Sequence, residues 1–209
     1  MFKKKCKDKD CHKFAAFYSD YCFDHTDNKK EYCENIYKAV KNRQHIRELN
    51  LSDIPFRDFD FSNKTILNSL FSRCDLTGSL FEKTKIFASF YDFAYFTKNK
   101  FTNCYIDFSV FGGAKFVDIQ FDNSDILQSN LLGTNFLNGT FRDSDLYASR
   151  FIHSDAENLN FYNCNLKKTI FIHANLINSH FARSNYEEAI FKECLLENSN
   201  IKDIKNENL

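Results

Sequence analysis

The sequence predicts an all-β solenoid in which four five-residue units complete each coil. From Leu51 to Ile201, every fifth residue is large and apolar, with Ala156 as the one small exception among 31 positions. A period of five fits neither an α-helix nor a flat strand. The composition agrees, because Phe occurs 25 times in 209 residues whereas Trp is absent. Each unit is therefore a short extended piece followed by a corner.

The number of units per coil follows from residues that lie twenty apart. One such column consists of Phe61, Phe81, Phe101, Phe121, Phe141, Phe161 and Phe181. The next column contains no Phe and reads Ile66, Ile86, Ile106, Ile126, Leu146, Leu166 and Tyr186. Regrouping at fifteen residues would mix Phe with aliphatic residues in every column. Four units per coil predict about 7.5 coils, a rod about 36 Å long with stacked rings inside.

A small residue usually stands two positions before each large one, and Asp or Asn often lies between them. Examples are SDL at 144–146, TNF at 134–136, CNL at 164–166 and ANL at 174–176. Over about three quarters of the chain this pattern resembles the A(D/N)LXX unit of the pentapeptide-repeat family. The resemblance implies a right-handed quadrilateral β-helix with the large and the small residue inside. Four thiols in the small position are then expected to be buried and unreactive: Cys74, Cys104, Cys164 and Cys194.

A few inward positions depart from the pattern. Ile119 and Leu159 are large where small residues are usual, and Ala156 is undersized near Leu159. We expect these volumes to compensate each other. Lys64 and Asn99 also stand in inward positions. An inward lysine must bring its amine to solvent, so both a regular coil and an irregular turn remain open there.

Four segments are predicted along the chain. A zinc-binding segment covers 1–27, a capping helix 28–49, the solenoid 50–201 and a charged tail 202–209. The helix is indicated by Cys33, Ile36, Tyr37 and Val40 at helical spacing, and Thr26 or Asp27 could begin it. An open solenoid has unpaired strand edges, so we expect the helix to cover the first coil.

The N-terminal segment carries the one constellation typical of metal chemistry. Cys6 and Cys11 are separated by four residues, and Cys22 and His25 by two. Two close pairs are what tetrahedral Zn²⁺ bound by three Cys and one His requires. A structural ion could organise a segment with too little core to fold alone. His12 and Cys33 are possible substitute ligands, and unrelated thiols are the alternative.

Charge and hydropathy exclude several classes of protein. The formal net charge is zero, with residues 1–50 mildly basic and residues 51–209 mildly acidic. Neither half has the strong bias of a dedicated nucleic-acid binder. The opening MFKKKCKDKD lacks the apolar core of a signal peptide, so the eight cysteines favour a reducing cytoplasm. No apolar run approaches the length of a membrane span.

Pairs of titratable residues do not indicate a catalytic site. Asp125 and Asp145 lie twenty residues apart, but Asp beside the large residue is ordinary turn chemistry in such a repeat. His153 and His173 also stack, yet two imidazoles without a third ligand are usually solvated. No phosphate loop or nucleophile motif occurs. We expect neither enzymatic activity nor a small-molecule substrate.

The residues after the large ones point outward and include an aliphatic cluster. It comprises Leu132, Ile152 and Ile172 on one face, and Val117, Leu137 and Ile177 around the next corner, where Glu157 interrupts it. A second, aromatic set comprises Phe87, Phe90, Phe93, Tyr95, Tyr105 and Phe108. Exposed apolar clusters usually mark an interaction surface. The helix or another chain could cover the aromatic set.

Three functions follow, in order of preference. The first is a non-enzymatic scaffold, zinc-stabilised at its N-terminus, that binds a protein partner or itself through the aliphatic cluster. The second is a DNA mimic that protects a topoisomerase, as in the quinolone-resistance branch of the family. That branch has a strongly acidic surface and usually a loop insertion, neither of which is found here. The third is nucleic-acid binding by the zinc segment with Lys3, Lys4, Lys5, Lys7 and Lys9, although such charge runs are usually solvated.

Overall fold

A computed structural model describes residues 4–201, which form a right-handed β-solenoid with one α-helix. The helix α1 spans Lys29–Lys41, and a 3₁₀ turn precedes it at Phe23–His25. The strands are β1 His45–Arg47, β2 Thr65–Leu67, β3 Lys85–Phe87, β4 Tyr95–Thr97, β5 Tyr105–Asp107, β6 Lys115–Gln120, β7 Asp125–Leu127, β8 Asn135–Thr140 and β9 Leu159–Asn160. The charged tail predicted at 202–209, like Lys3, lies outside the described residues.

Parallel pairing with a shift of twenty residues connects each coil to the next. One sheet has the order β1-β2-β3-β5-β7 and the other the order β4-β6-β8-β9. Single bridges extend the first ladder through Asp145 and Asn165 to Asn185. From His45 to Asn185 the ladder makes seven steps, slightly fewer than the coils predicted. We name the faces Ile46, Leu51, Phe56 and Phe61 after the first large residue of each column.

The core is the predicted set of stacked columns. Phe81 and Phe101 stack with ring centroids 4.4 Å apart, and Phe121 and Phe141 stack at 4.9 Å. Both pairs lie within 12° of parallel, as expected for identical rings on successive strands. The Phe column predicted from spacing alone is therefore confirmed.

The small inward residues tie neighbouring coils together. Ser149 Oγ donates to the carbonyl of Ile126 at 2.7 Å, which satisfies a hydroxyl that would otherwise be buried without a partner. The inward thiols of Cys104 and Cys164 also donate to carbonyls of the neighbouring coil. Burial raises the pKa of both thiols to about 12. Cys194 differs from the prediction because it is only partly buried in one of the last described coils.

Lys64 does not distort the coil. Its side chain is buried, and Nζ donates to the carbonyls of Lys41 at 2.9 Å and Arg43 at 2.7 Å. These carbonyls lie at the end of α1, where a cation also complements the helix dipole. Burial lowers the pKa of Lys64. The inward lysine therefore joins the helix to the solenoid, and the register continues directly at Thr65.

Asn99 also fits a regular coil. Its Nδ2 donates to the carbonyls of Leu76 at 2.6 Å and Ser79 at 2.8 Å, one coil below. Parallel pairing continues on either side of it, at Thr97 and Lys100. Asn99 therefore takes the same role as the inward hydroxyls.

The volume of Ile119 and Leu159 is compensated within their own column. Gly139 lies between them, and a Cβ on Gly139 would be 2.8 Å from Ile119 and 2.9 Å from Leu159. Both large residues are 1% exposed. The compensation that we expected from Ala156 is thus provided by the glycine, which leaves room for two large side chains.

The helix is shorter than predicted. Asn28, rather than Thr26 or Asp27, caps it by accepting a bond from the amide of Glu31. It ends at Lys41, not at residue 49, because residues 45–47 already pair with the next coil as β1. Its buried residues are Cys33, Ile36 and Val40, which belong to the same apolar core as the first coil.

The first coil is adapted to the lack of a coil beneath it. In later coils of the Phe56 face, the amide before the large residue donates downward, as Tyr95 does to Cys74 at 2.9 Å. In the first coil that position is Pro55, the one proline of the chain, which has no amide hydrogen. Its carbonyl accepts a bond from the Tyr37 hydroxyl on α1. No unpaired donor is left at this edge position.

Substitution of Lys64 by Met tests its capping role. Met keeps much of the length but removes the donor to the carbonyls of Lys41 and Arg43. We expect the free energy of unfolding, measured by urea denaturation, to fall by about 1–3 kcal/mol. The matched control is Lys85→Met at an exposed strand position, which should change it by less than about 0.5 kcal/mol. Equal stability of Lys64→Met and the wild type would contradict the role.

Candidate metal centre and outer surface

The N-terminal segment folds into two short turns that face each other. An antiparallel bridge joins Lys5 and Phe14, and the amide of Cys6 donates to the Lys13 carbonyl at 2.9 Å. Within this loop, Cys11 closes a turn onto Asp8 at 3.3 Å. The second turn is the 3₁₀ element, in which the amide of His25 donates to the carbonyl of Cys22 at 3.1 Å. Each turn presents one pair of predicted ligands.

All four predicted ligand atoms come together. Cys6 Sγ, Cys11 Sγ, Cys22 Sγ and a ring nitrogen of His25 lie within 4.8 Å of one another. The Cys11 and Cys22 sulfurs are 3.8 Å apart, and His25 Nδ1 lies 3.4 Å from Cys6 Sγ and 3.5 Å from Cys22 Sγ. A tetrahedral Zn²⁺ with ordinary bond lengths requires about 3.8 Å between sulfurs and about 3.5–3.6 Å between sulfur and nitrogen. The group therefore fits one zinc ion.

The electrostatics of the site favour the thiolate form of Cys6. Burial raises the pKa of Cys6, but the Cys22 amide at 3.2 Å, helped by further hydrogen bonds, lowers that pKa to about 6. The hydrogen bond with Cys6 raises the pKa of His25. Burial raises the pKa of Cys22. An imidazole and three thiols held this closely form a donor set that suits a soft divalent cation.

The two substitute ligands do not join the group. His12 is exposed, and Cys33 is buried on α1, where burial raises its pKa. Among residues 4–201, the three cysteines and His25 form the one cluster of three or more potential ligands with converging atoms. With every ligand position supplied by the protein, the arrangement has the composition of a closed structural site.

The segment is attached to the edge of the first coil on the Leu51 face. The amide of Phe17 donates to the carbonyl of Asn50 at 2.8 Å. The Asn50 side-chain amide donates to the carbonyls of Ala15 at 2.9 Å and Phe14 at 3.3 Å. Tyr32 on α1 adds a bond from its hydroxyl to the Phe17 carbonyl at 2.6 Å. The segment thus takes the place of a missing coil on this face.

Several lysines of the basic head are engaged in ion pairs. Lys4 and Lys7 both bind Asp20. Lys13 binds Asp24 at 2.5 Å, and its amine also lies 3.4 Å from Asp53. Arg73, one coil above Asp53, forms a bidentate pair with the same carboxylate at 2.6 and 2.9 Å. Much of the positive charge near the metal site is therefore paired within the chain.

The predicted aliphatic cluster lies on the outer surface but is unevenly exposed. Leu132 and Leu137 are 43% and 59% exposed. The other four members of the cluster are partly buried: Val117, Ile152, Ile172 and Ile177.

The Leu51 face also carries a second aliphatic column, which was not predicted from the sequence. Ile170 and Ile190 precede the large residues Phe171 and Phe191, and they are bridged as neighbours in the ladder. Ile190 is 37% exposed. The signal was available, because both neighbours of an inward strand residue point outward. Further down the same column lie Leu70, Phe90 and Val110.

The aromatic set is also largely open to solvent. Its exposed members are Phe90, Phe93, Tyr95 and Phe108. Phe87 and Tyr105 are partly buried, with ring centroids 5.3 Å apart. The N-terminal helix therefore leaves most of this set uncovered. A Cβ on Gly113 would come within 2.6 Å of the Phe93 ring, so the ring lies directly over that glycine.

The stacked histidines and aspartates do not assemble a further site. The rings of His153 and His173 lie 4.7 Å apart at 7°, face to face, and His173 pairs with Glu193 at 3.1 Å. Burial and Asp145 raise the pKa of Asp125. Asp145 accepts a bond from the amide of Tyr147, which is the turn role expected of it.

Comparison with known proteins agrees with this architecture of stacked four-unit coils. The family model "Pentapeptide repeat region" matches residues 132–201. No curated protein sequence matches the chain. Residues 132–201 therefore carry a pentapeptide-repeat region, and the same five-residue register runs unbroken from Leu51.

Solved structures with the same fold include QnrB1, a plasmid-mediated fluoroquinolone resistance protein. A trypsin-treated form matches with a TM-score of 0.66 at 17% identity, covering 79% of this chain and 85% of that chain. Full-length QnrB1 gives 0.56 at 15% identity, covering 79% and 87%. Likeness at this level of identity concerns the fold alone.

Among the described residues, α1 has only 13 residues, and no helix there could cross a bilayer.

Removal of single thiols tests the ligand set. We expect native mass spectrometry of the wild-type chain to find one zinc ion per chain. Cys11→Ser should lose it, because a hydroxyl is a poor zinc ligand. Cys33→Ser is the matched control and should keep it, since Cys33 lies on α1 outside the cluster. A metal-free wild type, or loss of zinc on substitution of Cys33, would contradict the assignment.

Proposed function

We propose that the protein is a non-enzymatic interaction scaffold of the cytoplasm that binds a protein partner, or itself, through the Leu51 face and its corner with the Phe56 face. The observation that carries this proposal is the aliphatic surface formed there. It comprises Leu132, Ile152, Ile170, Ile172 and Ile190 on the Leu51 face, and Val117, Leu137 and Ile177 on the Phe56 face.

These side chains are not part of the buried core, which the inward columns already fill. Apolar residues scattered singly over a surface are ordinary, but stacked columns of them on one side are typical of interaction sites. Flat solenoid faces also present many side chains at fixed spacing, which suits recognition of an extended surface.

Zinc has a structural role in this proposal. Cys6, Cys11, Cys22 and His25 would hold the ion, which supplies folding free energy to a segment that has little core of its own. The folded segment closes one strand edge of the solenoid at Asn50. Zinc thereby stabilises the scaffold without taking part in a reaction.

The two nucleic-acid alternatives gain less support. The likeness to QnrB1 concerns the fold. On the surface of this chain, acidic residues such as Asp53 and Asp75 are paired with arginines. A DNA mimic needs a strongly acidic field instead. For binding by the zinc segment, the ion pairs of Lys4, Lys7 and Lys13 reduce the charge available to a phosphate backbone.

Paired substitutions on two opposite faces test the proposed surface. Ile152→Asp with Ile172→Asp places two carboxylates on the Leu51 face, where burial in an interface would strongly disfavour them. Tyr162→Asp with Ala182→Asp is the matched control on the Phe61 face, with the same spacing, charge and outward position.

The readouts are sedimentation velocity of the pure chain and quantitative affinity capture from cell lysate. We expect self-association or a captured partner to fall at least tenfold for the Leu51-face pair and to persist for the control. If the wild type is a monomer and all three proteins capture the same set, the proposed surface is wrong.

A further inference from the structure

The strand edge at Asn50 is a binding site for main chain, and residues 14–18 of the same chain occupy it. We propose that, when the metal is removed, this edge takes up residues 14–18 of a second copy, so that two chains exchange their N-terminal segments. This inference rests on the zinc site of the proposed function and adds an interaction that the site controls.

The edge is a continuation of the ladder of the Leu51 face. One coil up, the amide of Leu70 donates to the Leu49 carbonyl at 2.9 Å, and the Leu70 carbonyl accepts from Leu51 at 2.8 Å. Asn50 holds the equivalent position in the first coil and has no coil below it. The amide of Phe17 reaches its carbonyl at 2.8 Å, a length equal to that of the ladder bonds.

Asn50 binds main-chain atoms of residues 14–18, and Arg43 adds side-chain contacts to the Phe17 ring and the Tyr18 hydroxyl. Besides the bond from Phe17, the Asn50 side-chain amide donates to the carbonyls of Ala15 and Phe14. Bonds to main-chain atoms are the ones that let a sheet edge accept an extended peptide. The identical segment of another copy can therefore make the same three bonds.

The metal determines how far residues 14–18 can reach. With the ion bound, Cys6 to His25 form one closed unit, and only residues 26–28 separate it from α1. That connection spans at most about 14 Å. Without the ion, the free connection from Phe17 to Lys29 can extend to about 40 Å, enough to reach a neighbouring molecule. A hinge that lengthens while its docking edge stays intact is the condition for segment exchange.

The test compares zinc-loaded and chelator-stripped full-length chain by native mass spectrometry at several protein concentrations. We expect stripping to double the number of subunits per particle and zinc addition to reverse it. The decisive variant is Asn50→Asp, which keeps the shape but replaces the two donated hydrogen bonds with repulsion between carboxylate and carbonyl oxygens. It should show no doubling.

A matched control lies in the same column. Asn130 accepts a bond from the amide of Leu132 just as Asn50 accepts one from Ser52, and Asp can preserve both of these bonds. Asn130 lies four coils up, away from residues 14–18. Stripped Asn130→Asp should therefore double like the wild type. Amide exchange gives a second readout, with Phe17 protected in the stripped wild type and unprotected in stripped Asn50→Asp.

The outcomes separate this inference from the proposed function. A stripped wild type that keeps its subunit number, or stripped Asn50→Asp that doubles equally, overturns the exchange while leaving the zinc site standing. A chain that binds no zinc overturns both the exchange and the zinc site. Stripped Ile152→Asp with Ile172→Asp should still double, because the exchange uses the strand edge and not the aliphatic face.

Discussion

The parallel hydrogen-bond ladder, with its shift of twenty residues, is the constraint on which the structure depends. Each coil donates to and accepts from the coils above and below, so side chains repeat in columns and identical rings stack. The same ladder leaves the first coil with unpaired groups. Residues 4–41 and Pro55 close this end of the rod, because α1, the N-terminal segment and the proline each satisfy or remove one part of the edge. The group of three cysteines and His25 therefore lies within an end cap.

Much of the fold was predictable because the information is local and repeated. The five-residue period, the Phe column and the ligand pairs at residues 6–11 and 22–25 are all visible in spacing alone. Three features were visible but not used. Gly139 lies in the column of Ile119 and Leu159, and Ile170 and Ile190 flank inward residues. Comparison at intervals of twenty would have identified them.

Other features depend on contacts that spacing does not encode. Lys64 stands in an inward position because its amine reaches the end of α1, and that requires the helix to end at Lys41. The helix ends there because β1 already belongs to the ladder, although residues 42–48 contain neither glycine nor proline. The docking of Phe17 on Asn50 joins residues 33 positions apart and follows from the geometry of the first coil.

X-ray absorption at the zinc edge of the purified chain tests the central claim, a metal-organised cap, most directly. The account predicts three sulfur neighbours at about 2.3 Å and one nitrogen at about 2.0–2.1 Å. A shell of oxygen and nitrogen alone would mean an adventitious ion. Four sulfurs would mean that Cys33 replaces His25. Either result would contradict a cap built on Cys6, Cys11, Cys22 and His25.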